Sequence, residues 1–101
     1  MATTTKTLFR GAATTTVGTV LYTVPASTTT VVTSIVITNT AGTSSTFTFG
    51  LGGTNLATTV TVGANDSTVL DLKQVLVATN TITGGASAIT INFHIAGVEI
   101  V

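Results

Sequence analysis

The sequence predicts an all-β domain, a jelly-roll-like antiparallel β-sandwich of about seven or eight strands. The first observation behind this prediction is composition: about a quarter of the 101 residues are threonine, and valine and isoleucine are frequent. Such β-branched side chains fit a pleated sheet better than a helix. The second observation is a period of two in the apolar residues, and the third is a turn signal about every 8–12 positions.

Residues 1–16 precede the first clear strand pattern, and two interpretations of them stay open. They form either an N-terminal arm that extends over a neighbouring subunit or the first strand of the sandwich, while residues 17–101 form a single domain. Chain termini are ordered only where something holds them down. An arm would bind its partner through apolar docking and polar contacts, and the candidate partner-binding residues are Thr3, Lys6, Leu8, Phe9 and Arg10.

The first half of the domain contains three strand-like runs. Residues 17–24 form a β-branched run that ends at Pro25, because proline cannot donate to a central sheet ladder. Residues 31–40 have a more continuous apolar pattern than the other runs (Val31, Val32, Ile35, Val36 and Ile37), so this strand is expected to be covered on both faces. Residues 45–51 alternate, which predicts a strand with one face in the core. The inward side chains of that strand are Phe47, Phe49 and Leu51.

The second half continues the alternation. Residues 58–62 place Val60 and Val62 on one face. Residues 71–78 come closest to a helix, but the run is short and rich in valine, so no helix is predicted. Residues 89–95 form the clearest strand, and its inward side chains are Ile89, Ile91, Phe93 and Ile95.

Turns are predicted where glycine and short polar residues cluster between the runs. The four clusters are Asn39-Thr40-Ala41-Gly42, Gly52-Gly53-Thr54-Asn55, Gly63-Ala64-Asn65-Asp66 and Gly84-Gly85. After Gly97 the apolar positions change parity, to Val98 and Ile100. This change predicts a β-bulge in the last strand.

Charge is scarce in this chain. Only 6% of the residues are charged, the formal net charge is zero and the mean hydropathy is +0.67, whereas about 25% charged residues is usual for a soluble domain. A surface with so little repulsion favours an assembly, and the alternative is a monomer kept soluble by threonine hydroxyls. The sequence has no basic patch that would indicate nucleic-acid binding. It also has no apolar run that approaches the roughly 20 residues of a membrane helix.

The titratable groups are too few to predict an enzyme. His94 is the single histidine, and parity places it on the outer face of its strand. A catalytic site would need a carboxylate such as Asp66 or Asp71 beside it. Asp66 is instead expected to cap a turn, and Asp71 and Lys73 to point outward together. We therefore predict no catalytic residues, metal site, cofactor or small-molecule substrate.

Several phrases of the sequence are similar to a family of short β-rich proteins encoded among bacteriophage structural genes. The phrases are Val20-Leu21-Tyr22-Thr23-Val24-Pro25-Ala26, Leu70-Asp71-Leu72, Thr81-Ile82-Thr83-Gly84-Gly85-Ala86-Ser87 and His94-Ile95-Ala96-Gly97-Val98-Glu99-Ile100. The resemblance covers about residues 17–101. It implies a component of the virion, and it supplies no active-site residues.

Within that family we expect a capsid decoration (cement) protein, which binds the outer shell and bridges capsid subunits. Its partners would be the major capsid protein and copies of itself, and its location the virion surface after synthesis in the cytoplasm of the bacterial host. The alternative is a tail, fibre or neck module that binds a receptor or glycan. Tyr22 is then the one candidate surface aromatic, because the phenylalanines occupy apolar strand positions.

Overall fold

A computed structural model describes residues 3–101 (for Leu72, the backbone only), and it confirms the all-β prediction. Eight strands form two four-stranded sheets in which all neighbours are antiparallel. The strands are β1 (Thr3–Ala12), β2 (Val20–Thr23), β3 (Thr29–Asn39), β4 (Ser45–Leu51), β5 (Thr54–Val62), β6 (Ser67–Leu76), β7 (Thr81–Ala86) and β8 (Ile91–Ile100). No helix long and apolar enough to cross a membrane occurs within residues 3–101.

The strand order is that of a jelly roll. The first sheet has the order β1-β8-β3-β6 and the second β2-β7-β4-β5. The chain therefore pairs β1 with β8, β2 with β7, β3 with β6 and β4 with β5, like one long hairpin wrapped around a core. At its tip Leu51 pairs with Thr54, and Gly52 and Gly53 adopt φ angles of +59° and +84°. This two-residue turn, predicted from its glycines, requires positive φ at both positions.

Three phenylalanines form the centre of the core. Phe47 and Phe49 of β4 and Phe93 of β8 are each at most 1% exposed. The rings of Phe49 and Phe93 lie 4.4 Å apart between centroids, across the two sheets, and those of Phe47 and Phe49 lie 5.8 Å apart. The inward alternation predicted for these strands is thus confirmed, except that Ile89 precedes β8 and is 69% exposed.

The expectation that both faces of β3 are covered is wrong. Val32, Ile35 and Ile37 are fully buried, whereas Val31 and Val36 lie half-exposed on the outer face of the first sheet. A sandwich has two layers, so each sheet buries one face only. The run contains consecutive apolar residues because the outward positions Val31 and Val36 are also valine. An extra residue, Thr33, shifts the parity of β3 in the middle of the strand.

The predicted turn at Gly84-Gly85 is also wrong, because both glycines lie inside β7. A Cβ at Gly84 would lie 2.9 Å from the ring of Phe49, and one at Gly85 would lie 2.5 Å from the carbonyl oxygen of Thr16. The segment between β1 and β2 crosses over Gly85 at this point. These glycines serve close packing on both faces of β7, not chain reversal.

The bulge predicted at Gly97 lies in the neighbouring strands instead. Gly97 pairs with Lys6 and Val32, and the extra residues that shift the register are Leu8 in β1 and Thr33 in β3. Strand β8 itself stays regular through position 97. As a consequence Glu99, two residues further, stays on the inner side of the sheet, and Val98 and Ile100 face outward.

Candidate functional site

The residues predicted to bind a partner lie in β1, which is an edge strand paired with β8. Residues 3–12 thus form the first strand of the sandwich; Met1 and Ala2 lie outside the described residues. Thr3, Lys6 and Arg10 are exposed, so they remain candidates for contact. Leu8 is not one: it is 7% exposed and belongs to the core, because the bulge turns its side chain inward over Gly97. Phe9 is half-buried against the same core.

A polar cluster lies at one end of the core, and the sequence did not reveal it. The Tyr22 hydroxyl of β2 donates a hydrogen bond to Oε2 of Glu99 in β8, and it lies 3.0 Å from the Thr30 hydroxyl. The ammonium group of Lys6 lies 3.4 Å from Oε2 of Glu99. The signal in the sequence is the alternation of Ile91, Phe93 and Ile95. Continued past Gly97, it puts Glu99 on the same inner face of β8.

The cluster changes what Tyr22 can do. Its ring is half-buried and its hydroxyl is engaged with Glu99 and Thr30, so it does not form a free aromatic platform. Burial, followed by the hydrogen bond to Glu99, raises the pKa of Tyr22 above its ordinary value of 10.0. The cluster therefore ties β2 of one sheet to β8 of the other.

We expect the cluster to make the fold sensitive to alkali. Because the folded-state pKa of Tyr22 is raised, its contribution to stability is complete below the unfolded pKa near 10. That contribution is lost as the pH rises through the folded pKa. Urea denaturation from pH 8 to 11.5 measures this loss. Tyr22→Phe should be less stable than wild type at pH 8 and should lose less stability on alkalinisation. Parallel losses in the two proteins would contradict the expectation.

His94 lies where parity predicted, half-exposed on the outer face of the first sheet. Its neighbours across the sheet are Arg10 in β1 and Val36 in β3. A hydrolase-type site requires a carboxylate that orients the imidazole, and the sheet register offers a guanidinium and a valine instead. Among residues 3–101 no group of three His, Cys, Asp or Glu side chains comes together as a metal site would need.

Asp66 lies in a turn and Asp71 lies on an exposed strand. Asp66 accepts a hydrogen bond of 2.8 Å from the backbone N–H of Ser67 and closes the β5–β6 turn, as predicted. Asp71 is exposed in β6, as is Lys73, which also agrees with the sequence. An open cavity of about 200 Å³ on the second sheet has no charged group in its lining, which includes the four threonines Thr15, Thr46, Thr48 and Thr59.

Five valines lie in two groups on the outer face of the first sheet. Val98, Val31 and Val75 are direct cross-strand neighbours on β8, β3 and β6 and form one row. Val36 and Val69 form a second pair on the same face. Val75 is 63% exposed and Val69 is 61% exposed, and contiguous apolar surface of this kind is typical of interaction sites.

The fold and these surfaces define a jelly-roll β-sandwich with sparsely charged, partly apolar outer surfaces and exposed sheet edges. No protein-family model matches the sequence, and a search of curated proteins finds no match either. The surfaces open to contact are the sheet edges and the exposed valines of the first sheet.

Proposed function

We propose that this chain is a structural protein of a bacteriophage virion, a capsid decoration (cement) protein that binds the outer shell and bridges capsid subunits. The observation that carries the proposal is the surface: charged residues are 6% of the chain, and exposed valines line one face of the sandwich. Covering such a surface desolvates few charges. Jelly rolls are common in viral capsid proteins, although a fold alone does not assign a function.

The edge of β1 is the surface that we propose for contact with the major capsid protein. The main-chain groups on its outer side can pair with a strand of another subunit, while the side chains of Thr3, Lys6 and Arg10 set specificity. Lys6 already pairs with Glu99, which leaves Arg10 as the cation for the shell. Many copies on a symmetric shell bind with avidity, so each contact can be weak.

The geometry does not favour the tail or fibre alternative. Glycan-binding sites usually present exposed aromatic rings, and all five aromatic side chains of this chain are buried or half-buried. The location of the chain in the intact particle distinguishes this alternative from the cement role.

The decisive experiment is symmetric cryo-EM of the intact particles produced by the genome that encodes this chain. We expect density of this sandwich spread over the shell, with each copy touching several capsid subunits. Density confined to the tail, its fibres or the neck would overturn the cement assignment and support the alternative. Absence of the chain from the particles would overturn the virion role altogether.

A binding assay then tests the β1 edge. Purified protein is added to particles that lack the chain, and bound protein is measured after sedimentation of the particles. Arg10→Gln should weaken binding several-fold. Ala26→Glu, in the exposed β2–β3 loop, makes the same change in net charge and should bind like wild type. Equal binding by both variants would exclude Arg10 from the contact, whatever cryo-EM shows about location.

A further inference from the structure

The four edge strands differ in their capacity to pair with another chain. An edge presents unpaired N–H and C=O groups that can accept a further strand. The edge strands are β1 and β6 in the first sheet and β2 and β5 in the second. Strand β2 has only four residues, and β5 is interrupted by two register shifts and by Thr59 at φ +50°. The long edges that remain are β1 and β6.

We infer that β6 is a contact between two copies of this chain. In this contact β6 pairs antiparallel with β6 of a second copy around a two-fold axis through residue 72. The pairing joins the two first sheets into one sheet of eight strands. A two-fold contact of this kind is closed, because each copy contributes the same surface. The inference does not rest on the proposed function, since a protein free in solution would pair in the same way.

Charge complementarity selects β6 and its register. The axis pairs each residue with the one equally far on the other side of residue 72. Asp71 therefore faces Lys73 of the second copy, and symmetry makes this pair twice; both side chains are exposed. Opposite charges directly across a strand pair stabilise it, and like charges destabilise it. The same pairing of β1 around Leu8 would place Lys6 against Arg10, two cations.

The apolar residues agree with the same register. Val69 faces Val75 of the second copy, and these are two of the most exposed valines of the chain. Val75 ends the row with Val31 and Val98, and Val69 neighbours Val36. The pairing therefore joins the valines of both copies into one continuous row. Leu56 and Leu70 line an open groove beside this same edge.

A register shift of β6 against β3, between Asp71 and Gln74, lies on the proposed axis. Bulges and charges are also devices that protect edges from pairing, so the experiment has to distinguish a protected edge from a paired one. Charge reversal does this. If the charges protect the edge, the wild type and every variant stay monomeric, whereas in an interface each single reversal weakens the dimer and the double reversal restores it.

The first test is the oligomeric state of the purified full chain, measured by sedimentation equilibrium up to about 1 mM. Asp71→Lys and Lys73→Glu each create two like-charge pairs and should weaken dimerisation about tenfold or more. The double variant with both substitutions restores opposite charges and should dimerise nearly as wild type. Arg10→Glu makes the same charge change as Lys73→Glu on the other edge and should leave the dimer unchanged. A monomeric wild type, or single variants that dimerise normally, would overturn the inference.

The second test reads the register by disulfide formation. The chain has no cysteine, so Val69→Cys and Val75→Cys can be introduced alone or together. Within one strand the two positions are about 20 Å apart, far beyond the span of a disulfide. Mild oxidation of the double variant should give a covalent dimer, and the single variants should give little. Equal cross-linking by a single variant would establish a different axis and refute the pairing proposed here.

Discussion

Replacing Phe49 by alanine is expected to lower the free energy of unfolding by about 3–5 kcal/mol, because a large buried ring is removed from the centre of the core. Phe49 is fully buried and contacts the rings of Phe47 and Phe93. The cavity cannot refill from β7, since the neighbour there is Gly84, which has no side chain to offer. The total free energy of unfolding of a domain is about 5–15 kcal/mol, so this substitution would remove a large share of it.

Urea denaturation followed by circular dichroism measures this loss. Phe49→Leu retains part of the buried volume and should lose less stability than Phe49→Ala. Val77→Ala removes apolar atoms from a side chain that is 57% exposed, and its effect should stay within about 0.5 kcal/mol. If Phe49→Ala cost no more than Val77→Ala, the packing of the phenylalanine cluster described above would be wrong.

Gly97→Ala is expected to destabilise the fold by about 3 kcal/mol, at the upper end of the usual cost of overpacking. A Cβ at this position would lie 2.5 Å from the carbonyl oxygen of Val31 and 2.8 Å from Cδ1 of Leu8. The carbonyl belongs to β3, which is paired on both sides, so the backbone cannot move away without breaking a ladder. A single methyl group therefore forces apart the two central strands of the first sheet.

Two comparisons separate the causes of this loss. Gly42→Ala places its Cβ in open space and should be nearly neutral, within about 0.5 kcal/mol. In a Leu8→Ala background the contact with Cδ1 is gone, but the contact with the Val31 carbonyl remains. Most of the cost of Gly97→Ala should persist there, as a double-mutant cycle would measure. Disappearance of the cost would show that Leu8, and not the backbone of β3, is the obstacle.

Part of the candidate surface could be predicted from the sequence, and part could not. The exposure of Asp71 and Lys73 follows from charge and strand alternation, and that of Lys6 and Arg10 follows from charge alone. That β1 and β6 form the edges of one sheet does not, because edge position depends on which distant strands pair. The sequence predicts that Leu8 contacts a partner, but Leu8 lies in the core, because the direction of its side chain depends on a register shift against β8.

The sequence by itself determined the fold class, the alternation that buries Phe47, Phe49 and Phe93, and the tight turn at Gly52 and Gly53. These properties depend on local preferences: β-branched composition, a period of two and positive φ. Only the tertiary structure decided the positions of the bulges, the packing roles of the glycines in β7 and β8, and the meeting of Tyr22 with Glu99. Those depend on contacts between residues far apart in the chain, and no local pattern specifies which strand lies across from a given side chain.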